Sequence, residues 1–296
     1  MSGDGKTLAV GADGEDGSAT GINGTPDAAA DGAGAAYVFT LSGGAWTQQA
    51  YVKASNTGAG DSFGHSVALS NDGATLAVGA FHEASGLADN QGDNSASAAG
   101  AAYVFALAGG AWSQQAYVKA DSPQMSDLFG TSVSLSADGA TLAVGAEEAL
   151  IGKGEAFVFA RTGDAWSQSA ALKPSNAGGL FGNAIALSAD GTRVAVGAFG
   201  ESSSATGVGG DPGNTTARFA GATYVFVNAA KAWSQQSYVK AFNTDPADFF
   251  GSSVSLSSDG SLLAVGAQLE SSKATGIGGN QGDNSANDSG AVYVYQ

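Results

Sequence analysis

The chain has no cysteine, which excludes disulfides, thiolate metal sites and a cysteine nucleophile. Histidine is almost as scarce: His65 and His82 are the only two, at unrelated positions, and no Gly-x-Ser-x-Gly elbow is present. No set of residues therefore suggests an enzyme. Basic residues number 11 against 27 acidic ones, a net charge of −16, and they are scattered, so a nucleic-acid partner is not expected. No apolar run approaches the roughly 20 residues of a membrane-spanning helix, so direct membrane insertion is not expected either. The first residues lack the basic and apolar segments of a signal peptide, which places any export signal outside this sequence. Proline is rare, with five residues against 46 glycines, which points to many tight turns between short strands.

Repetition is what the sequence does have. "SNDGATLAVGA" at 70–80 returns at 136–146, 188–198 and 257–267, and the chain opens on the same phrase at 2–12. One full unit reads as four strands. Val67 and Leu69 alternate with small polar residues, and Asp72-Gly73 supplies a hairpin turn. "TLAVGA" forms a strand buried on both faces. A loop of about twenty residues then leads to "AAYVFAL", and a glycine pair turns the chain into "AWSQQAYVKA". In that fourth strand Trp112, Gln114, Ala116 and Val118 are expected on one face, and Ser113, Gln115, Tyr117 and Lys119 on the other.

The glycines of "VGA", Gly11, Gly79, Gly145, Gly197 and Gly266, lie 68, 66, 52 and 69 residues apart. An all-β unit this long suits a propeller blade. The short third interval comes from loss of the loop between the second and third strands, which marks that loop as surface. Phe63-Gly64, Phe129-Gly130, Phe181-Gly182 and Phe250-Gly251 open the units, with "VGA" and then "GAAYVF", "GATYVF" or "GAVYVY" following. This ordered set resembles the FG-GAP repeat of the integrin α-subunit β-propeller and its bacterial relatives, over essentially the whole chain. Kelch and WD40 repeats match less well, because the glycine pairs fall in the wrong order and no Trp-Asp dipeptide occurs.

The expected fold is an all-β propeller of four-stranded antiparallel blades, taken as one domain over residues 1–296. Its units are 1–57, 58–123, 124–176, 177–244 and 245–296. The first unit lacks its first strand and the last lacks its fourth, so eighteen strands are expected and the chain reads as a segment of a larger propeller, with flanking repeats as neighbours. The resemblance implies an extracellular or cell-surface recognition module that binds a protein or carbohydrate ligand through loops on one face. The alternative is a structural spacer in a large surface protein with no ligand of its own.

In the family the first hairpin often carries an Asp-x-Asp-x-Asp-Gly calcium loop, but here Asp4, Asp72, Asp138, Asp190 and Asp259 each stand alone. One carboxylate cannot supply the six to eight oxygens calcium takes, so these read as turn residues. Calcium, if bound, belongs to the long loops, where "NQGDNSA" recurs at 90–96 and 280–286 and a glutamate follows "VGA" by three residues. The candidate ligands are Glu83, Asp93, Asn94, Glu270, Asp283 and Asn284. The simpler reading is that these side chains satisfy turn backbone. Asp61, Asp127 and Asp248, just ahead of Phe-Gly, are read as caps. The four tryptophans are expected in the core between blades. Lys53, Lys119 and Lys240, at the end of the fourth strand, are expected as exposed edge charges.

Overall fold

The computed structural model describes residues 1–176 and 178–296; the expected start of the fourth unit, residue 177, lies outside the described residues. The described residues form eighteen strands in five antiparallel sheets. The first sheet holds β1 (Thr7–Ala12), β2 (Ala35–Ser42) and β3 (Ala45–Val52). The second holds β4 (Phe63–Leu69), β5 (Thr75–Ala80), β6 (Ala101–Ala108) and β7 (Ala111–Val118). In the third, β8 (Phe129–Leu135) and β9 (Thr141–Ala146) are joined to β10 (Glu155–Thr162) and β11 (Ala165–Leu172) through one short turn, α1 (Ala149–Gly152). The fourth contains β12 (Phe181–Leu187), β13 (Arg193–Ala198), β14 (Ala222–Ala229) and β15 (Ala232–Val239). The fifth contains β16 (Phe250–Leu256), β17 (Leu263–Ala267) and β18 (Ala291–Tyr295). Each sheet is a meander in chain order, so the first and last have three strands and the others four.

Four apolar clusters hold the sheets together, each between one sheet and the next. The strands that meet across these interfaces are the leading ones, β1 on β4, β4 on β8, β8 on β12 and β12 on β16. No cluster joins the fifth sheet to the first among the described residues, and the five propeller blades form an open arc. The burial of the second strands follows from this. β5 is buried throughout, whereas β1, with no strand on its inner side, is mostly half-buried.

Phenylalanine and glycine open each first strand for different reasons. Phe63, Phe129, Phe181 and Phe250 are buried and lie edge-on or tilted against two aromatic rings of the third strand in the same sheet, Tyr103 and Phe105 in the case of Phe63. The glycine after each, such as Gly130 at φ +96°, takes a backbone conformation that side chains disfavour. A Cβ there would also strike the carbonyl that opens the third strand of the preceding sheet, Ala101 O for Gly130. The glycine of "VGA" is needed for the reciprocal contact, since a Cβ on Gly79 would meet Gly130 O. Two backbones thus touch at every seam.

A second backbone contact runs around the opposite ends of the strands. Gly3 N–H donates to Asn71 O, Asn71 to Ala137 O, Ala137 to Ala189 O and Ala189 to Ser258 O, at 2.8–2.9 Å, linking the five Asp-Gly turns in series. Each turn is closed by its lone aspartate. In the second sheet Asp72 Oδ1 accepts Ser70 Oγ–H and Ala74 N–H, and the pattern repeats at Asp4, Asp138, Asp190 and Asp259.

The fourth strand departs from strict alternation. A bulge leaves Gln49, Gln115, Ser169 and Gln236 without a partner on the third strand, and it reverses the faces of the residues beyond. The bulged glutamine serves the next sheet: Gln49 Oε1 accepts the Trp112 indole N–H at 3.0 Å and Gln115 Oε1 that of Trp166 at 3.1 Å. The tryptophans are therefore between-blade residues of unequal depth. Trp112 is buried and Trp166 and Trp233 are half-buried, while Trp46, with no preceding sheet to cover it, is exposed.

Removing a seam phenylalanine should open a cavity at the sheet interface. Phe129→Ala is expected to cost roughly 3–5 kcal/mol, read as a lowered denaturant midpoint; an unchanged midpoint would contradict the packing described.

Candidate ligand face

The loops between second and third strands span residues 13–34, 81–100, 199–221 and 268–290, with a short version at 147–154. Each leaves its sheet at the end where the first strand begins, because the last residue of strand two pairs with the Phe of strand one, as in Phe63 with Ala80. All five loops therefore share one face of the arc.

Beneath that face the long loops are pinned by charge. Glu83 Oε2 accepts Lys119 Nζ–H at 2.9 Å and the Ser85 N–H at 3.1 Å, while Oε1 accepts the side-chain amide of Asn56 from the preceding sheet's outgoing chain. Tyr103 O–H donates to the same Asn56 at 2.7 Å. Glu201 repeats the set with Lys240, Ser203, Asn176 and Tyr224, and Glu15 pairs with Lys53 at 2.7 Å. The three lysines, expected as exposed edge charges, are in fact 0–4% exposed. The bulge turns the end of the strand inward, and the loop glutamate supplies the counter-charge that makes burial tolerable. Burial pushes the Lys119 and Lys240 ammonium groups below their ordinary value, and Glu83 and Glu201 pull them back. At Glu15 burial works upward, but hydrogen bonds from Lys53 and Tyr51 hold it below the ordinary carboxylate value.

The third sheet shows that this clasp is a unit. Its short loop has Ala149 three residues after "VGA" where the others have glutamate. Phe157 stands in place of the tyrosine and Ser122 in place of the asparagine. Its lysine, Lys173, is exposed and pairs instead with Glu155 at 2.8 Å. Glutamate, tyrosine and asparagine are replaced together and the remaining lysine turns to the surface, which only comparison of the chain's own repeats reveals.

The structure separates the six calcium candidates. Glu83 and Glu270 are buried at the base of their loops, and both oxygens of each accept N–H groups. Asp93 Oδ2 accepts the Gly86 N–H at 2.7 Å together with the N–H and O–H of Ser95, so it closes its own turn. Asp283 pairs with Lys273 at 3.5 Å, Asn284 donates to Asp245 in the segment joining β15 to β16, and Asn94 is exposed. Among the described residues no three Asp, Glu or His side chains converge as metal ligands. Asp61, Asp127 and Asp248 each accept an N–H three residues upstream, from Gly58, Gln124 and Asp245, and so cap the turn ahead of the first strand.

What varies from repeat to repeat is the outer surface of the face. The residue directly after "VGA" is Asp13, Phe81, Glu147, Phe199 and Gln268 in turn. The residue after Phe-Gly, where the first strand slips register, is His65, Thr131, Asn183 and Ser252. These positions meet. His65 Nδ1 lies 2.9 Å from Asp13 Oδ2 of the preceding sheet, and its ring is 4.3 Å from that of Phe81. Farther along, Phe249 packs against Phe199 and Phe219, and the Arg218 guanidinium lies 4.8 Å from the Phe219 ring. The position after "VGA" escaped the reading of single motifs, although alignment of the repeats exposes it.

Residues 46–105, 112–159 and 233–295, more than half of the chain, match the FG-GAP repeat. No curated protein matches the sequence. Among solved structures the chain is similar to TolB from Acinetobacter baumannii, at 12% identity and a TM-score of 0.43, covering 79% of this chain and 43% of that one. It is similar to the β-propeller domain of Cps50 (Swd1) from Myceliophteria thermophila, at 11% identity and a TM-score of 0.48, covering 80% and 61%. A protein described as a 6-phosphogluconolactonase from Bacteroides uniformis gives 13% identity and a TM-score of 0.49, covering 80% and 58%. The chain thus spans less than two thirds of the length of each, and similarity at this level carries no functional information. No helix among the described residues is long and apolar enough to cross a membrane.

The clasp and the cap each make a prediction. Lys119→Met strands a buried carboxylate and is expected to cost roughly 3–5 kcal/mol, whereas Lys119→Met with Glu83→Gln should recover most of that loss; additive losses in chemical denaturation would show that the pair is not coupled. Burial, with Glu83 nearby, raises Asp61 from 3.8 to about 7. The folded protein then binds this proton more tightly than the unfolded chain, so its contribution is fully present below 3.8 and is lost as pH rises toward about 7. Asp61→Asn keeps the acceptor for Gly58 and should flatten the fall in melting temperature across that window; an unchanged slope would assign it to other groups.

Proposed function

The chain belongs to the FG-GAP repeat family, and on that premise we propose that it is a recognition module that binds a protein or carbohydrate ligand on the loop face. One observation carries the reading. The buried Glu-Lys pair that holds a long loop recurs in the first, second and fourth sheets, while one equivalent position on the surface above takes four residue types, Asp13, Phe81, Glu147, Phe199 and Gln268. A recurring framework beneath a surface that varies supports binding, because specificity needs dissimilar contacts and affinity gains from loops already ordered. Aromatic rings beside carboxylates, as at Phe81, His65 and Asp13, suit stacking combined with hydrogen bonding. The family and the excess of acidic residues favour an extracellular or cell-surface setting.

Catalysis is not part of this proposal. His65 is engaged with an exposed Asp13, and His82 lies beside Phe81, with its nearest hydroxyl that of Ser62 at 3.4 Å. A second reading, a structural spacer without its own ligand, draws support from the identical "NQGDNSA" segments at 90–96 and 280–286.

The two readings are separated by binding of the labelled chain to arrays of glycans and of purified extracellular proteins. Recognition predicts a saturable ligand whose binding falls on the order of tenfold or more in Phe81→Ala with Phe199→Ala, and is kept in the turn variant Asp138→Ala. Absence of any saturable ligand on both arrays would favour the spacer, and equal binding by all three proteins would place the ligand away from this position.

A further inference from the structure

At each of the four seams among the described residues, the end of one sheet's loop is hydrogen-bonded to the segment that leads into the next sheet. Ser62 N–H donates to Gly32 O, Leu128 to Ala98 O, Leu180 to Gly152 O and Phe249 to Phe219 O, at 3.1–3.2 Å. Both residues of every pair have left-handed backbone, with φ between +54° and +74°. Glycine adopts that conformation freely, and the first and third seams use it at the loop end, as Gly32 and Gly152. Between the fourth and fifth sheets both positions instead carry phenylalanine, at φ +58° and +57°, where bulky side chains are disfavoured.

Core packing does not account for these rings. Phe219 and Phe249 are half-buried, as is Phe199, and none of the three belongs to the apolar clusters between the sheets. They pack on one another, Phe249 with its ring centre 5.5 Å from that of Phe199 and 5.9 Å from that of Phe219. A strained backbone that holds a half-exposed ring serves the surface above it. Arg218 completes the group. It is exposed, its guanidinium lies 4.8 Å from the Phe219 ring, and among the described residues it forms no ion pair, although the chain carries a net charge of −16.

The backbone here is already engaged. Phe199 N–H donates to Asn183 Oδ1, Phe219 N–H to Ser202 Oγ, Phe249 N–H to Phe219 O and Ala247 N–H to Arg218 O. An extended peptide therefore finds no free ladder to join, and rings and guanidinium are what remains for recognition. The C–H face of a pyranose carries partial positive charge that the negative face of an aromatic ring attracts, and a guanidinium takes a carboxylate in a bidentate pair. The acidic chain repels a polyanion far more than a single carboxylate on an otherwise neutral sugar. On the reading of the loop face as a ligand surface, we propose that the seam between the fourth and fifth sheets binds a terminal acidic sugar of a neutral glycan, its pyranose on Phe199, Phe219 and Phe249 and its carboxylate on Arg218.

The probes are 3′-sialyllactose against lactose, and cellobiouronic acid against cellobiose, titrated onto the full chain by calorimetry. At least one acidic probe is expected to saturate and to bind on the order of tenfold more tightly than its neutral counterpart; which one does so tells a sialic from a uronic acid. Arg218→Gln should remove that preference. Phe219→Gly should weaken acidic and neutral probes alike with little change in melting temperature, because glycine suits the left-handed backbone. Equal affinity for acidic and neutral probes, a preference that survives Arg218→Gln, or undiminished binding by Phe219→Gly would each overturn the proposal. So would an acidic peptide that binds through Arg218 where the sugars do not. If no probe saturates but an array ligand dependent on Phe81 and Phe199 does, the loop face still binds and this assignment alone falls; no saturable ligand of any kind removes both.

Discussion

The structure depends on a contact between two glycines. At each seam the glycine of Phe-Gly lies directly on the glycine of "VGA" in the preceding sheet, at a distance no Cβ could share. The contact fixes the spacing of neighbouring sheets at their narrow end and aligns the leading strands, β4 on β8 and β8 on β12 among them. It also draws the end of one second strand to the start of the next first strand, which is what assembles residues such as Asp13 and His65 into one surface. Because the seam uses only strand ends, the third sheet keeps it despite its short loop.

A second layer of order comes from burying charge. Desolvating a lysine and a glutamate is costly, and the pair adds little net stability over an apolar equivalent. What it does provide is geometry. Glu83 ties the base of its loop to the end of β7 and, through Asn56, to the chain leaving the first sheet. Loop, outer strand and neighbouring sheet are thereby set by one carboxylate. The joint replacement of glutamate, tyrosine and asparagine in the third sheet is what a unit of this kind requires, since a buried tyrosine hydroxyl or asparagine left alone would lose its partner.

On the loop face the same logic separates support from contact. The buried Glu-Lys pairs of the first, second and fourth sheets lie beneath a position that changes from repeat to repeat, so the supports can persist while the contacts change.

Strands, turns and blade order were determined by the sequence itself. Alternation with period two, Asp-Gly turns and glycine pairs are local signals, and the count of eighteen strands follows from adding them along the repeat. The role of the lone aspartates was equally legible, because their partners lie two residues away on either side. Tertiary structure alone decided the fate of the charged residues. Lys119 ends a strand and reads as an edge residue, but one unpaired residue at Gln115 reverses its face, and its partner Glu83 lies across the sheet on a different loop. For the same reason Glu83 and Glu270 read as ligands on exposed loops although both are buried. A bulge shifts every later side chain while leaving the composition of the strand unchanged, and a long-range ion pair has no sequence period. Both therefore take form only when the sheets are packed.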